Sequence, residues 1–287
     1  MDFERYVAEL ERGHRRVWAA AAGRREADNL VVVSKTASTN LLARGVAVDF
    51  ESEGLNLAPL LVLALEQSAG RGRQGRSWSS PRGKGVYATL ARLYPAPELL
   101  PALPLLAGVG LCRAMAPHLA RGCRLKWPND LLVPDDGAAG GRSGRKIGGI
   151  LIEALVHPGD GCVALIGFGV NHGHRRDELP DGATSLLLET GGHVGGGVVG
   201  VGLADLTWDL VAGVERELEH AGDLPYAVAA WREHSIHLPG DRLRVREGDR
   251  EVEGVFEGID GSGRLRLRRP PPDEGVLLLA AGEVIER

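Results

Sequence analysis

Near the N-terminus, Phe3, Tyr6, Val7 and Leu10 fall three and four residues apart among Glu4, Arg5, Glu9, Glu11 and Arg12, the spacing of a helix that covers something larger. Asn29 to Ser34 is a valine-rich run that predicts a buried strand. Ser38, Thr39 and Asn40 then offer N-cap oxygens to a helix over Leu41 to Ala47. Leu60 to Leu65 predicts a second strand, and the seventeen residues from Ala69 to Gly85 carry no hydrophobic period, so they predict a long functional loop. Further strands are expected at Val86 to Leu93, Arg124 to Lys126, Leu131 to Val133, Lys146 to Leu155 and Val163 to Val170, with a helix over Leu103 to Leu119. Leu203, Leu206, Leu210, Val214 and Leu218 mark one face of an amphipathic helix, Tyr226 to Trp231 starts another, and Gly191 to Gly202 reads as a connector. From His237 the texture changes to short strands, Arg242 to Val245, Val252 to Ile259, Arg264 to Arg268 and Val276 to Leu279, separated by turn pairs such as Asp260-Gly261. The order predicts an α+β fold: a helical extension at 1–28, a mixed sheet flanked by helices at 29–236, and a small β-barrel at 237–287.

Composition narrows the class. A chain of 287 residues fits about two domains at roughly 150 residues each. With 44% hydrophobic and 25% charged residues it can bury a core, and its 41 glycines require many turns and close backbone approaches. Lys and Arg total 34 against 38 Asp and Glu, so the molecule as a whole does not attract nucleic acid and any cationic site must be local. Cys112, Cys123 and Cys162 form no CxxC pair and are odd in number, which points to a reducing cytoplasm rather than a zinc knuckle or disulfide framework. The apolar run Val17 to Ala22 is too short for a secretory signal. Leu99 to Cys112, with Pro101 and Pro104 inside it, falls below the roughly 18–20 residues of a membrane span. The histidine pairs His172 with His174 and His234 with His237 lack acidic or cysteine partners at ligand spacing, so no protein-bound metal is expected.

Four stretches carry candidate chemistry. Gly70-Arg71-Gly72-Arg73-Gln74-Gly75-Arg76 formally satisfies the dinucleotide pattern G-x-G-x-x-G, but Pro81, Gly83 and Gly85 preclude the helix which must follow. Its position between two core strands also argues against a solvated Arg-Gly tail. Three arginines among glycines describe a loop whose backbone can approach an anion while guanidinium groups neutralise it. Lys126-Trp127-Pro128-Asn129-Asp130 places a cation, a rigid aromatic corner and two polar groups at a strand end, although Pro-Asn-Asp alone is ordinary turn chemistry. Lys146 opens a strand that otherwise reads as core through Gly149-Ile150-Leu151-Ile152-Glu153. Gly167-Phe168-Gly169-Val170-Asn171 ends another strand with small residues and an amide.

Taken in order, these stretches resemble the biotin protein ligases. The resemblance rests on Ser38-Thr39-Asn40, Gln67, the Gly70–Arg76 loop with Trp78, Ser80-Pro81 and Gly83, the Lys126–Leu131 segment, Lys146 with Gly149 and Glu153, and Gly167–Asn171. It covers residues 30–235, and Gly282-Glu283-Val284 resembles the end of the family's SH3-like C-terminal domain. It implies a catalytic domain like that of class II synthetases. It also implies two reactions: biotin and MgATP form biotinyl-5'-adenylate, then a lysine of a biotin carboxyl carrier protein takes the biotinyl group. Ser38, Thr39, Asn40, Gln67, Gly70, Arg71, Gly72, Arg73, Lys146 and Gly149 are then expected around biotin. Arg71, Arg73, Arg76, Trp78, Lys126, Asn129, Asp130, Lys146 and Asn171 are expected around ATP, with Arg73, Lys126, Lys146 and Asp130 as the catalytic candidates. Gln74 stands where some relatives carry another arginine, and the glycine-rich loop from Pro134 to Arg145 has no recognisable contact residue. Only 37 residues precede Ser38, fewer than the roughly 50 of a small DNA-binding domain, so no DNA binding is expected. A monomer and a homodimer both remain open. Two alternatives stand beside this reading: a lipoate-type ligase or acyl transferase, and an Arg-Gly nucleic-acid module that would also use Arg264, Arg266, Arg268 and Arg269.

Overall fold

A computed structural model describes residues 2–20, 29–55, 57–135, 143–156, 161–191, 201–269, 271 and 274–286. Most of the connector at Gly191–Gly202 and of the glycine-rich loop after Pro134 lies outside the described residues.

Seven strands form the larger sheet: β1 (Asn29–Val33), β2 (Leu60–Ala64), β3 (Gly85–Tyr94), β4 (Arg124–Lys126), β5 (Asp130–Pro134), β6 (Gly144–Val156) and β7 (Cys162–Asn171). Their spatial order is β1-β2-β3-β7-β6-β5-β4, with β1 parallel to β2 and every other pair antiparallel. Helices cover both faces, so the central strands read as continuous apolar runs rather than alternating ones. In β2, Leu61 and Leu63 face one core while Leu60 and Val62 face the other. The first core lies beneath α1 (Phe3–Ala20), α3 (Leu103–Met115), α5 (Leu203–Leu218) and α6 (Leu224–His234); the second lies beneath α2 (Thr39–Ser52). The N-terminal helix is a cover, as its spacing predicts: Tyr6 and Leu10 are buried, and the Trp208 indole N–H donates to the Leu10 carbonyl at 2.9 Å.

The helix expected over 103–119 starts at Leu103 as predicted, and its α-helical part ends at Met115. Segments of 3-10 helix at Pro97–Ala102 and Ala116–His118 extend α3 at both ends, so Pro97–His118 has the length and apolarity of a membrane span, with mean hydropathy 1.7. Pro101 lies in the 3-10 segment just before the α3 N-cap Ala102, and Pro104, in the first turn of α3 where no backbone donor is needed, does not break the helix. It is the core helix, with Leu103, Leu106, Val109 and Leu111 fully buried. Glycine lets it meet α5 closely: a Cβ on Gly213 would lie 2.6 Å from the Gly110 carbonyl oxygen.

A second sheet, of order β11-β10-β9-β8-β12, is antiparallel throughout and comprises β8 (Arg242–Glu247), β9 (Arg250–Ile259), β10 (Leu265–Arg269), β11 (Gly275–Leu279) and β12 (Glu283–Glu286). The strand β12 was not among the expected elements. The change of texture at His237 marks a new sheet and not a gap in the core. Val245, Phe256 and Leu265 belong to the same apolar cluster as Leu125 and Trp127, and the Trp127 indole donates to the Gly263 carbonyl at 3.2 Å.

Candidate active site

The site begins at the first turn of α2. Ser38 is its N-cap by backbone conformation, yet its side chain makes no cap hydrogen bond. The polar groups that follow turn into the sheet instead. The Thr39 backbone N–H and hydroxyl both donate to Gln67 Oε1, at 2.8 and 3.3 Å, and Gln67 Nε2 donates to the Ser80 hydroxyl at 2.8 Å. Asn40 Nδ2 donates to Glu153 Oε2 at 2.9 Å and to the Leu151 carbonyl at 3.2 Å. The Thr89 hydroxyl joins the two, 2.8 Å from the Thr39 hydroxyl and 2.7 Å from Asn40 Oδ1. Thr39, Asn40 and Thr89 are all buried, and a buried polar group left without its partner costs about 1–3 kcal/mol. The recess is therefore pre-shaped, with its hydrogen-bonding groups held in fixed directions. Gly167 is part of the shape, because a Cβ there would collide with the Asn40 amide.

The loop after Gln67 folds back on itself through bridges between Gln67 and Ser80 and between Arg71 and Ser77. Its tip is a tight turn with Gln74 at φ 55° and Gly75 at φ 73°. Two of its three arginines already hold carboxylates: Arg71 lies 3.4 Å from Glu153, and Arg76 grips Glu283 of the second sheet with both guanidinium nitrogens. That pairing raises the Arg76 pKa and lowers that of Glu283. Arg73 is different. Burial works against its charge and lowers its pKa, while the nearby Asp130 carboxylate supports it.

Trp78 fits flat against strand glycines. A Cβ on Gly169 would lie 2.6 Å from Trp78 Nε1, and one on Gly149 would touch the ring edge at 3.7 Å. Its indole nitrogen is buried without a hydrogen-bond partner. Lys146 Nζ stands 5.4 Å from the Trp78 ring centroid and 2.7 Å from Asp130 Oδ1. Asp130 opens β5 after a cis Trp127-Pro128 bond, and Asn129 Nδ2 donates to the Ile150 carbonyl at 2.7 Å. One end of the site is thus a neutral hydrogen-bonding recess, the middle an aromatic wall, and the other end a set of cations.

These features line a cavity of about 130 Å³, and a second of about 510 Å³ shares the Arg71–Gln74 turn as part of its wall. Together they reach the size of a small-molecule site. Of the residues singled out by sequence, Ser38, Thr39, Asn40, Gln67, Arg71, Gly72, Arg73, Arg76, Trp78, Lys126, Asn129, Asp130, Lys146 and Gly149 share the first cavity's wall. Gly70 and Asn171 do not. Gly70 packs against the Trp78 carbonyl and Ser80, where no side chain fits, so it lets the loop fold and makes no part of the wall. Asn171 is buried and its amide donates to the Thr184 carbonyl at 2.9 Å, which turns it away from the cavity. The wall also holds Trp127, Phe168, Gly282 and Glu283, which sequence reasoning did not assign. Glu283 reaches it from β12, more than two hundred residues from Arg76. Among the described residues no group of three histidine, cysteine, aspartate or glutamate side chains could hold a metal ion.

The chain matches the biotin/lipoate A/B protein ligase family over residues 37–171 and the biotin protein ligase C-terminal domain over residues 240–271. It is 36% identical over 247 residues to the biotin--[acetyl-CoA-carboxylase] ligase of Paracoccus denitrificans, covering 81% of this chain and 95% of that one. The chain belongs to the biotin protein ligase family. The enzyme of the same name from Mycobacterium tuberculosis is 32% identical over 281 residues, covering 93% of this chain and 91% of that one. The bifunctional ligase/repressor BirA of Escherichia coli is 32% identical over 212 residues, but the match covers 61% of its length, and the repressor function in its name stays with that protein. The biotin protein ligase of Aquifex aeolicus, solved with biotin and ATP, superposes with a TM-score of 0.64 at 22% identity, covering 89% of this chain and 97% of that one. At that identity it establishes the fold, a mixed sheet between helices with an antiparallel C-terminal sheet. Membership of the biotin protein ligases favours biotin over the lipoate-type and nucleic-acid alternatives. The first family model spans biotin and lipoate enzymes alike, whereas the C-terminal match and the full-length relatives are named for biotin.

Proposed function

We propose that this site joins biotin to AMP and then passes the biotinyl group to a lysine of a biotin carboxyl carrier domain. The observation that carries the reading is the position of Lys146 Nζ, beside Asp130 and above Trp78, between the neutral recess and the cationic end. In the first step a carboxylate oxygen attacks the α-phosphorus of ATP and pyrophosphate leaves with the broken bridging bond. Both reactants are anions, so the main requirement is fixed positive charge in a site closed to water. Lys146, Lys126, Arg71 and Arg73 supply that charge from the wall, in a protein of net charge -4. Thr39, Asn40 and Gln67 face the head of biotin, whose N–H and C=O groups match their donors and acceptors, and the Trp78 ring lies along its apolar part.

Lys146 exchanges Asp130 for the reacting oxygens when substrates arrive. That exchange leaves Asp130 free to accept a proton from the incoming lysine ammonium. In the second step the lysine amine attacks the acyl carbon, the acyl–phosphate bond breaks, and AMP departs. Magnesium would enter with the nucleotide as MgATP, bound to its phosphate oxygens. Residues 29–236 would carry the chemistry, with 237–287 closing the nucleotide end through Glu283. The free, buried cysteines, with Cys112 and Cys123 sulfurs 3.3 Å apart, suit a reducing cytoplasm. Release of pyrophosphate from ATP that depends on biotin, measured without any acceptor, tests the first step. Release that ignores biotin would refute it.

A further inference from the structure

We infer that Thr184 and Glu189, neither of which lines the cavity, are positioning residues for Lys146; the inference rests on reading Lys146 as the cation of adenylation. Lys146 occupies a junction in the sheet. The β6–β7 ladder runs from Gly148–Val170 to Val156–Cys162 and so stops short of it. On the other side, β5 pairs Leu131 with Gly148 and Leu132 with Lys146, which leaves Ile147 as a bulge. A bulge re-aims the neighbouring side chains, and without a partner strand it would leave the lysine loosely held.

The missing partner is the segment 182–184. The Lys146 N–H donates to the Gly182 carbonyl at 2.8 Å, and the Thr184 N–H donates to the Lys146 carbonyl at 2.8 Å. This short parallel pairing replaces β7 at the one residue where direction matters most. It is anchored by side chains. The Thr184 hydroxyl donates to the Glu189 carboxylate, and Asn171 Nδ2 holds the Thr184 carbonyl. Glu189, with 3% side-chain exposure, also receives Arg121 at 2.8 Å and Arg145 at 3.1 Å. Arg145 directly precedes Lys146. One buried carboxylate therefore fixes both the peptide before the lysine and the segment paired to it.

Charge-assisted bonds to a buried carboxylate are strong and directional, so the cluster is suited to hold a backbone in place. A misplacement of about 1 Å at a reacting group can cost about a hundredfold in rate. The residues touch no substrate in this arrangement, so their loss should act on turnover and leave binding in the neutral recess intact.

Thr184→Val removes the hydroxyl and keeps the shape, Thr184→Ser restores the hydroxyl, and Glu189→Gln removes the charge. Each is assayed for biotin-dependent pyrophosphate release at saturating MgATP, with its thermal midpoint and biotin dissociation constant measured in parallel. Thr184→Val and Glu189→Gln should each lose about tenfold or more in kcat, an order below the ~10²-fold limit for a misplaced group. Biotin affinity should stay within about threefold, and Thr184→Ser should recover most of the rate. Wild-type kcat in Thr184→Val, or in Glu189→Gln should the valine variant not fold, would overturn the inference. So would a loss of kcat matched by an equal loss of biotin affinity, or one that serine does not rescue. Lys146→Gln, run alongside, separates the two levels. If it retains full rate, the role of Lys146 itself fails; if it is inactive while Thr184→Val is normal, only the positioning role fails.

Discussion

Lys146→Gln separates a chemical role from a structural one, because its expected effects on rate and stability differ in size. The lysine side chain is 35% exposed and its partner Asp130 23% exposed, with a single 2.7 Å contact. Partly exposed pairs contribute about 0–1 kcal/mol after solvent screening and side-chain ordering. The 5.4 Å approach to Trp78 adds a cation–π term of about 0.5–1 kcal/mol at such a site. Glutamine keeps most of the aliphatic stem, so the loss should stay near 1 kcal/mol, a fall in thermal midpoint of about 2–4 °C for a chain of this size. The rate effect should be larger. Removing one preorganised charge donor from a developing anionic centre costs about 10²-fold or more, equal to about 2.7 kcal/mol of barrier. Biotin-dependent pyrophosphate release, with the melting curve taken on the same preparation, reads both. A variant that melts like wild type and releases pyrophosphate at near the wild-type rate would refute the assignment. A variant that loses rate only in proportion to its folded fraction would refute it as well.

Two further outcomes follow from particular side chains. Arg73 stands on the cavity wall beside the loop tip, with Asp130 close enough to support its charge, so Arg73→Gly should let the adenylate escape and biotinylate lysines of unrelated proteins, read by streptavidin blotting of a mixed-protein reaction. Normal adenylate formation with unchanged acceptor selectivity would remove that role. His174 is fully buried, and burial lowers its pKa from 6.5 to about 4. Between those values the unfolded chain binds the proton and the folded chain does not, so stability is lost as pH falls from about 6.5 towards 4, by up to roughly 3 kcal/mol. Denaturant midpoints across that range should flatten in His174→Phe; an identical acid slope in both proteins would show that His174 does not supply it.

Local patterns in the chain anticipated what is local in the fold. The leucine spacing of α5, the apolar runs of β2 and β7, and the glycine-rich stretch from Gly70 to Gly85 all lie where their periodicity or its absence places them. The start of α3 at Leu103 was legible beside Pro104, which occupies its first turn, whereas the 3-10 segments that flank it carry no period of their own. Pairings between distant segments were not legible. β7 inserts between β3 and β6, Arg76 meets Glu283 across 207 residues, and Thr184 pairs with Lys146 through backbone atoms that have no sequence signature. At the site, motif order placed fourteen candidates on one wall, but the direction of a side chain depends on what surrounds it. Asn171 looked like a ligand amide because it ends a small-residue strand; in the structure its donor belongs to Thr184. Nor was it legible that two of the three loop arginines are already paired, with Glu153 and Glu283, carboxylates far from the loop in sequence.

The most direct measurement is the intact mass of a biotin carboxyl carrier domain incubated with this protein, biotin and MgATP. A gain of one biotinyl group is expected, localised to a single lysine, absent without ATP and absent when that lysine is replaced by arginine. An unchanged carrier mass with folded enzyme, or a gain with lipoate and none with biotin, would contradict the assignment of this site to biotin activation and transfer.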